Sequence, residues 1–370
     1  MSGQARTGAD GLLDDLKSAR HDLLSGRHPA YHAILGAVMT LVSGADDALV
    51  THFGRVWRMR SFPTFYERPL LILAALRADA LQEGTSHPLY SALGPATPDP
   101  AVVTDESVAT ALARDRLGVW STMTTRRMQT NDTSRALAWL WPAVLAGCDD
   151  AQRPVALVDV GASAGLNLIA DELPPVWTDR ATGKAIPCAT RVNAVARLGF
   201  DTRPLDIASH DDLLWMRACI WPGDTARLAR FEASVVAMRA AALRPSPPVL
   251  ERLTASLVPE RLEALVSRMP EDTLLLAYHT LVSGYLEATE REAYRRGMTK
   301  LVSRHAAGRV LWVELELDDG RRRLPAVLTA HVRVGDAAKT LRMGRSSQHP
   351  GEVEVEVAGV ADLRRHLTGK

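Results

Sequence analysis

Apolar positions recur every three or four residues from Gly11 to about Gln82. Leu12, Leu13 and Leu16 open the series. Ile34, Leu35, Val38, Met39, Leu41 and Val42 continue it, followed by Leu70 to Leu73 with Leu76. This spacing predicts helices. It resumes from about Asp105 to Thr125, and again after Asn131 through Ala136, Leu137, Trp139, Leu140 and Pro142. The rhythm changes at Val155–Val158, an unbroken apolar run that reads as a buried strand. Thr273–Tyr278 and Arg309–Leu317 read the same way, and Arg191–Leu205 holds one or two more strands. Val249-Leu250 opens a short one. Ala226–Leu243, Leu262–Met269 and Ala288–Arg304 read as the helices between them. Glu314 and Glu316 alternate with apolar residues, which predicts one less buried face. Ala326–Val334 and Glu352–Val357 read as a closing hairpin joined by a polar loop. Strands alternating with helices predict a mostly parallel sheet in an α/β protein.

One stretch concentrates the chemistry. After Val155–Val158 come Asp159, then Gly161-Ala162-Ser163-Ala164-Gly165, then Leu166-Asn167-Leu168-Ile169, read as a helix start. Strand, small-residue turn and helix form the first half of a βαβ unit. Such a turn lets a ligand approach the backbone. The Gly-Lys-Ser/Thr of a phosphate-binding loop is absent, and so is G-x-G-x-x-G. The pattern acid-x-Gly-x-x-x-Gly resembles the first motif of class I S-adenosylmethionine methyltransferases, with Ser163 at the middle glycine. That resemblance implies a Rossmann-like sheet with a closing antiparallel hairpin. It also implies S-adenosylmethionine held by Asp159, Gly161, Ala162, Ser163, Gly165 and Asn167. A Rossmann-like fold that has lost its ligand is the competing reading.

Composition narrows the classes. The 370 residues carry a formal net charge of +1, so no bulk attraction to nucleic acid or membrane is expected. No apolar run approaches a membrane span, and no signal peptide pattern opens the chain. Cys148, Cys188 and Cys219 have no metal spacing and suit a reducing cytoplasm as small buried residues. The expected organisation is a disordered tail over 1–9, a helical cap over 10–145 and a sheet domain over 146–370.

Further blocks extend the resemblance. They are Gln129-Thr130-Asn131-Asp132-x-x-Arg135, Arg197-Leu-Gly-Phe-Asp201-x-x-Pro204-Leu-Asp206, Trp215 with Ala218-Cys-Ile-Trp221-Pro222 and Arg227, and His279-Thr280 to Tyr285. With the glycine turn they resemble a bacterial family known as domain of unknown function 2332, from about the Pro69-Leu70-Leu71 helix to the chain end. Near Leu253-Thr254, where the family tends to have Gly-Asp, no acid is present. Adenine recognition here would then use backbone or Ser/Thr groups.

Roles follow from position. In open α/β sheets ligands sit beyond the C-terminal strand ends. Asp201 is expected to hold ribose hydroxyls, or else to be a turn aspartate. Asn131 and Arg135 are expected to reach the amino-acid end of the cofactor from the helical cap, or else to be a helix cap and a surface arginine. His279 is a candidate general base, with a structural histidine as the alternative. Tyr285 is a candidate to line the pocket and contact the sulfonium, or else to be plain core. Trp221 reads as structural. The expected substrate is a small molecule, with no metal. Internal cyclisation or cleavage of the cofactor, and non-catalytic binding, are the competing functions.

Overall fold

The computed structural model describes residues 6–368, apart from 23, 25–27, 45–47, 63, 95, 150–152 and 319–322. The chain divides into two units, one of residues 1–130 with 208–229 and one of residues 131–207 with 230–370. The helical part therefore stops at Thr130 rather than near residue 145, and it takes up a second, later segment.

In the first unit, Arg6–Thr7 (β1) pairs antiparallel with Ser61–Phe62 (β2). The expected disordered tail is thus ordered at these two residues, while its first five lie outside the described residues. Helix Glu67–Glu83 is the centre of this unit. It packs against helices Leu12–Asp22, Pro29–Ser43, Leu117–Thr125 and His210–Ala218. Arg68, fully buried near its start, donates from Nε and Nη2 to Asp15 Oδ2 at 2.8 and 2.6 Å. Trp57 stacks on Phe53 and donates its indole N–H to Met123 O at 3.2 Å. The late helix is held by Trp215, which donates to Arg127 O at 3.0 Å, and by Asp212, which pairs with Arg126.

The second unit is built on a nine-stranded, mostly parallel sheet. In chain order its strands are Val155–Val160 (β3), Thr178–Asp179 (β4), Ala194–Asp201 (β5), Val249–Arg252 (β6) and Leu274–Thr280 (β7). Val310–Leu317 (β8), Ala326–Val334 (β9), Ala337–Ser346 (β10) and Glu352–Val355 (β11) complete it. Their spatial order is β4-β11-β10-β9-β8-β7-β3-β5-β6. Strands β6, β5, β3, β7 and β8 run parallel, and β9 returns antiparallel beside β8. The closing hairpin differs from expectation. The partner of β9 is β10, within the stretch read as a polar loop, and β11 pairs on the far side of β10. The exposed residues at the start of β10 and the run Gly344-Arg345-Ser346 at its end hide its strand character from an apolar count.

Both sheet faces are covered. Val155, Leu157, Leu274, Leu276, Leu311 and Val313 face helices Leu137–Leu145 and Val357–Thr368. Ala156, Val158, Val160, Leu275, Ala277 and Trp312 face helices Val258–Val266 and Ala288–Arg304. Two covered faces explain why the central strands read as unbroken apolar runs.

Among the described residues, no single helix is long and apolar enough to cross a membrane. The three cysteines are free, and burial pushes the Cys148 thiol up to about 11 and those of Cys188 and Cys219 to about 12.

Removing one partner of a buried ion pair leaves an uncompensated charge. Asp15→Ala should therefore cost about 3–5 kcal/mol, whereas Asp15→Leu with Arg68→Met should cost far less. Urea denaturation followed by circular dichroism checks both; equal losses would show that packing, not charge, sets the effect.

Candidate functional site

Strand β3 is central in the parallel part of the sheet, and its C-terminal end carries the glycine turn. Gly161 and Gly165 have φ of 82° and 72°, and Ser163 has φ of 52°. Residues with a Cβ are strained there, so both glycines are backbone requirements. The residues after the turn do not form the expected α-helix. Leu166–Glu172 is a 3₁₀-helix with a break at Ile169.

The room beside the glycines is taken by the protein itself. A Cβ at Gly161 would lie 2.4 Å from Val282 Cγ2. One at Gly165 would lie 2.8 Å from Met238 Cε and 2.9 Å from Leu250 Cδ2. The close neighbours of these two glycines on the Cβ side are side chains of the protein.

Asp201, at the end of β5, straps the turn. One carboxylate oxygen accepts from Ser163 N and the other from Arg203 N, both at 2.8 Å. Gly161 N and Ala162 N donate to Phe200 O at 2.8 and 3.1 Å. This is the turn aspartate that competed with a ribose contact. Asp159 is 3% exposed, and its Oδ2 accepts from Tyr278 Oη at 3.0 Å. Burial pushes its carboxyl up to about 7; the Tyr278 hydrogen bond opposes this and the nearby Asp201 charge adds to it.

Asn131 and Arg135 belong to the α/β unit, not to the helical one. Thr133–Ala136 is a 3₁₀-helix packed against Leu166–Glu172. The indoles of Trp139 and Trp177 donate to Asn167 O at 2.9 Å and Ser134 O at 2.7 Å. Asp132 caps the segment at Ser134 N and meets His349 Nδ1 at 2.6 Å. Arg135 is buried rather than on the surface, and its Nε donates to Gln348 O at 3.0 Å. Five polar atoms of these two segments and of the residues leading into them are buried and meet no hydrogen-bond partner: Asn131 Nδ2, Thr133 Oγ1, Ser134 Oγ, Ser163 Oγ and Asn167 Oδ1.

His279 does not project from the strand tip. It is fully buried beneath helix Ala288–Arg304. Its Nδ1 lies 3.1 Å from Tyr294 Oη, and Trp312 Nε1 approaches it at 3.4 Å. Its Nε2 lies 3.3 Å from Glu316 Oε1 and 3.7 Å from Glu314 Oε1, distances of ion pairing rather than of a well-aligned hydrogen bond. Burial pulls its pKa down, but Glu316 and Glu314 outweigh that and leave it above the ordinary histidine value. Glu314 also meets His331 Nε2 at 3.2 Å and Arg295 Nη2 at 3.3 Å, and His331 stacks on Trp312. The face of β8 expected to be less buried is therefore an internal polar network, with Glu314 only 5% exposed.

That network reaches the glycine turn. Glu316 Oε1 accepts from Val282 N at 2.8 Å and Ser283 N at 3.0 Å. Leu281 beside them has φ of 55°. Val282 is the side chain lodged against Gly161. Tyr285, expected to line the pocket, is 52% exposed. The sequence signal for Glu314 and Glu316 was present, since both share the parity of Trp312 on β8; His331 joins them only through the pairing of β9 with β8, which sets it opposite Trp312. Among the described residues one cluster has metal-ligand proximity, Asp79, Glu83 and His87 in the helical unit. The Arg116 guanidinium lies against two of its carboxylates.

A mostly parallel α/β sheet with a strapped glycine turn at its central strand end defines the structural class. Over residues 25–354 the chain matches the family described as an uncharacterized protein conserved in bacteria, DUF2332, and it belongs to that family. No curated protein matches it.

Gly161→Ala combines a disfavoured φ with a clash, and should lower stability by roughly 2–4 kcal/mol. Adding Val282→Ala should restore only the part owed to the clash. Denaturant titration of both variants measures the split; no recovery in the double variant would refute the contact. Asp159 adds a pH dependence. Between about pH 4 and 7 the folded chain holds its proton and the unfolded chain does not. Stability should therefore fall as pH rises through that window and level off above it. Asp159→Asn should remove this slope, and a wild-type slope retained in the variant would exclude Asp159 as its source.

Proposed function

We propose that the α/β unit binds S-adenosylmethionine at the C-terminal ends of β3, β5 and β7 and transfers its methyl group to a small molecule. The observation carrying this reading is the set of five buried, unpartnered polar atoms on the turn and on the Asn131–Arg135 segment. Leaving such a group unpaired costs about 1–3 kcal/mol. A ligand with several donors and acceptors would satisfy them together. The order of β6, β5, β3, β7 and β8, with β9 antiparallel, is similar to the layout of a class I methyltransferase sheet. The glycine clearances add nothing, because Val282, Met238 and Leu250 fill them.

The bound cofactor would supply an activated methyl group on a sulfonium. The chain's own contribution is mainly alignment. Ser163 and Asn167 would hydrogen-bond the ligand from the turn, and Asn131, Thr133 and Ser134 from the facing segment. Arg135 would pair with a carboxylate. Asp159 would ionise to meet a positive charge. Asp201 keeps Ser163 in its left-handed conformation. His279 acts as a positioning residue, holding the Val282 loop through Glu316, rather than as a base.

Three measurements test this. Calorimetric titration should show S-adenosylmethionine binding, and Ser163→Gly should weaken it about fivefold to tenfold without lowering the melting temperature, because glycine accepts the same φ. No binding by the wild type would end the proposal. Affinity should fall as pH drops below about 7, by at most roughly tenfold per unit, because a cationic ligand must then displace the Asp159 proton. Flat affinity from pH 5.5 to 8.5 would remove Asp159 from the site. In turnover, S-adenosylhomocysteine marks methyl transfer; methylthioadenosine instead would replace it with chemistry internal to the cofactor.

A further inference from the structure

We infer that the helical unit holds a buried oxyanion site at Arg77, which takes the carboxylate or phosphate group of a small molecule. Arg77 is 3% exposed, and its Nε and Nη1 are buried without a hydrogen-bond partner. No ion pair reaches it among the described residues. The contrast lies on the same helix, where Arg68 is equally buried and is paired with Asp15. Arg116, in the same unit, is paired with Asp79 and Glu83.

Among the described residues, the groups around Arg77 supply no missing charge. Helix Glu67–Glu83 packs against Pro29–Ser43, which carries Tyr31, and against His210–Ala218, which Cys219 follows. Tyr31 is 2% and Cys219 6% exposed. Burial pushes both groups up, so each is neutral near pH 7. The other charges felt by Arg77 are Asp224 and Arg227. They bind each other: Asp224 Oδ1 accepts from Arg227 N at 3.1 Å, and Asp224 Oδ2 lies 3.7 Å from Arg227 Nη1. Counting Arg77, Arg227 and Asp224, the formal sum of these described groups is one positive charge. A guanidinium does not escape by losing its proton, and an unpaired buried charge is among the costliest features a fold can carry. Its planar fork of donors fits an oxyanion. Trp221 stands beside the cluster, 5.9 Å from the Tyr31 ring and 4.3 Å from that of His28. The Trp221 and Arg227 block of the sequence, which the strand-end site leaves unused, thereby gains a role.

The site lies in the helical unit and is independent of S-adenosylmethionine. The test compares melting temperatures of the full chain, its Arg77→Met variant and its Arg77→Lys variant. Each is measured in sodium phosphate, sodium acetate and sodium chloride at equal ionic strength. Wild type should rise by on the order of 5 °C in phosphate or acetate relative to chloride. A response to phosphate alone assigns a phosphate ligand, and a response to acetate assigns a carboxylate. Arg77→Met should melt at or above wild type in chloride and lose the response, because it deletes an unpaired charge at similar volume. Should Arg77→Met not fold, Arg77→Lys decides: it keeps the charge without the fork, and should need about tenfold more anion. An equal response in wild type and Arg77→Met, an unchanged response in Arg77→Lys, or none in wild type overturns the site.

Discussion

The arrangement at the strand ends depends on the pairing of β3 with β7. Their register sets Asp159 opposite Tyr278 and Val160 opposite His279. Side chains alternate across a strand, so these two polar residues of β7 part company. Tyr278 turns to Asp159 on the face covered by Leu137–Leu145, and His279 enters the opposite core with Tyr294 and Trp312. A slip of one residue would exchange them. It would bury Tyr278 among the carboxylates of β8 and strand Asp159 without its donor.

The same pairing sets the two loops side by side. The turn after β3 and the loop after β7 each hold a non-glycine residue in the left-handed region, Ser163 and Leu281. Such strain persists where the surroundings over-determine it. Here they do: Asp201 holds Ser163 N, Glu316 holds Val282 N and Ser283 N, and Val282 closes on Gly161. The fold's own contacts thus hold the turn, and the proposed ligand would meet it preorganised, at a lower ordering cost.

The α/β class and the long central strands were legible because two covered faces leave unbroken apolar runs, and helix Ala288–Arg304 was legible to the residue. Strand β10 was not, since half its side chains face water and its buried end is polar. The reach of His279 was misjudged because strand position fixes a side chain's face but not what lies above it. Here that is Tyr294, from a helix later in the chain. Asn131 and Arg135 were assigned to the helical part because contiguity in sequence stood in for contiguity in space. Arg77 carries no motif; only the absence of a partner singles it out.

That absence of contiguity also shapes how the chain comes off the ribosome. Residues 1–130 emerge first, yet the helix that receives the Arg127 carbonyl at Trp215 and pairs Asp212 with Arg126 belongs to residues 208–229. The helical unit must wait, incomplete, while residues 131–207 are made. Its completion is a long-range event that short, local helix contacts cannot hasten. Until then the face that helix His210–Ala218 will cover, along Glu67–Glu83, is open to solvent. The helical unit is therefore closed only by a segment that lies beyond a long stretch of the other unit in the chain.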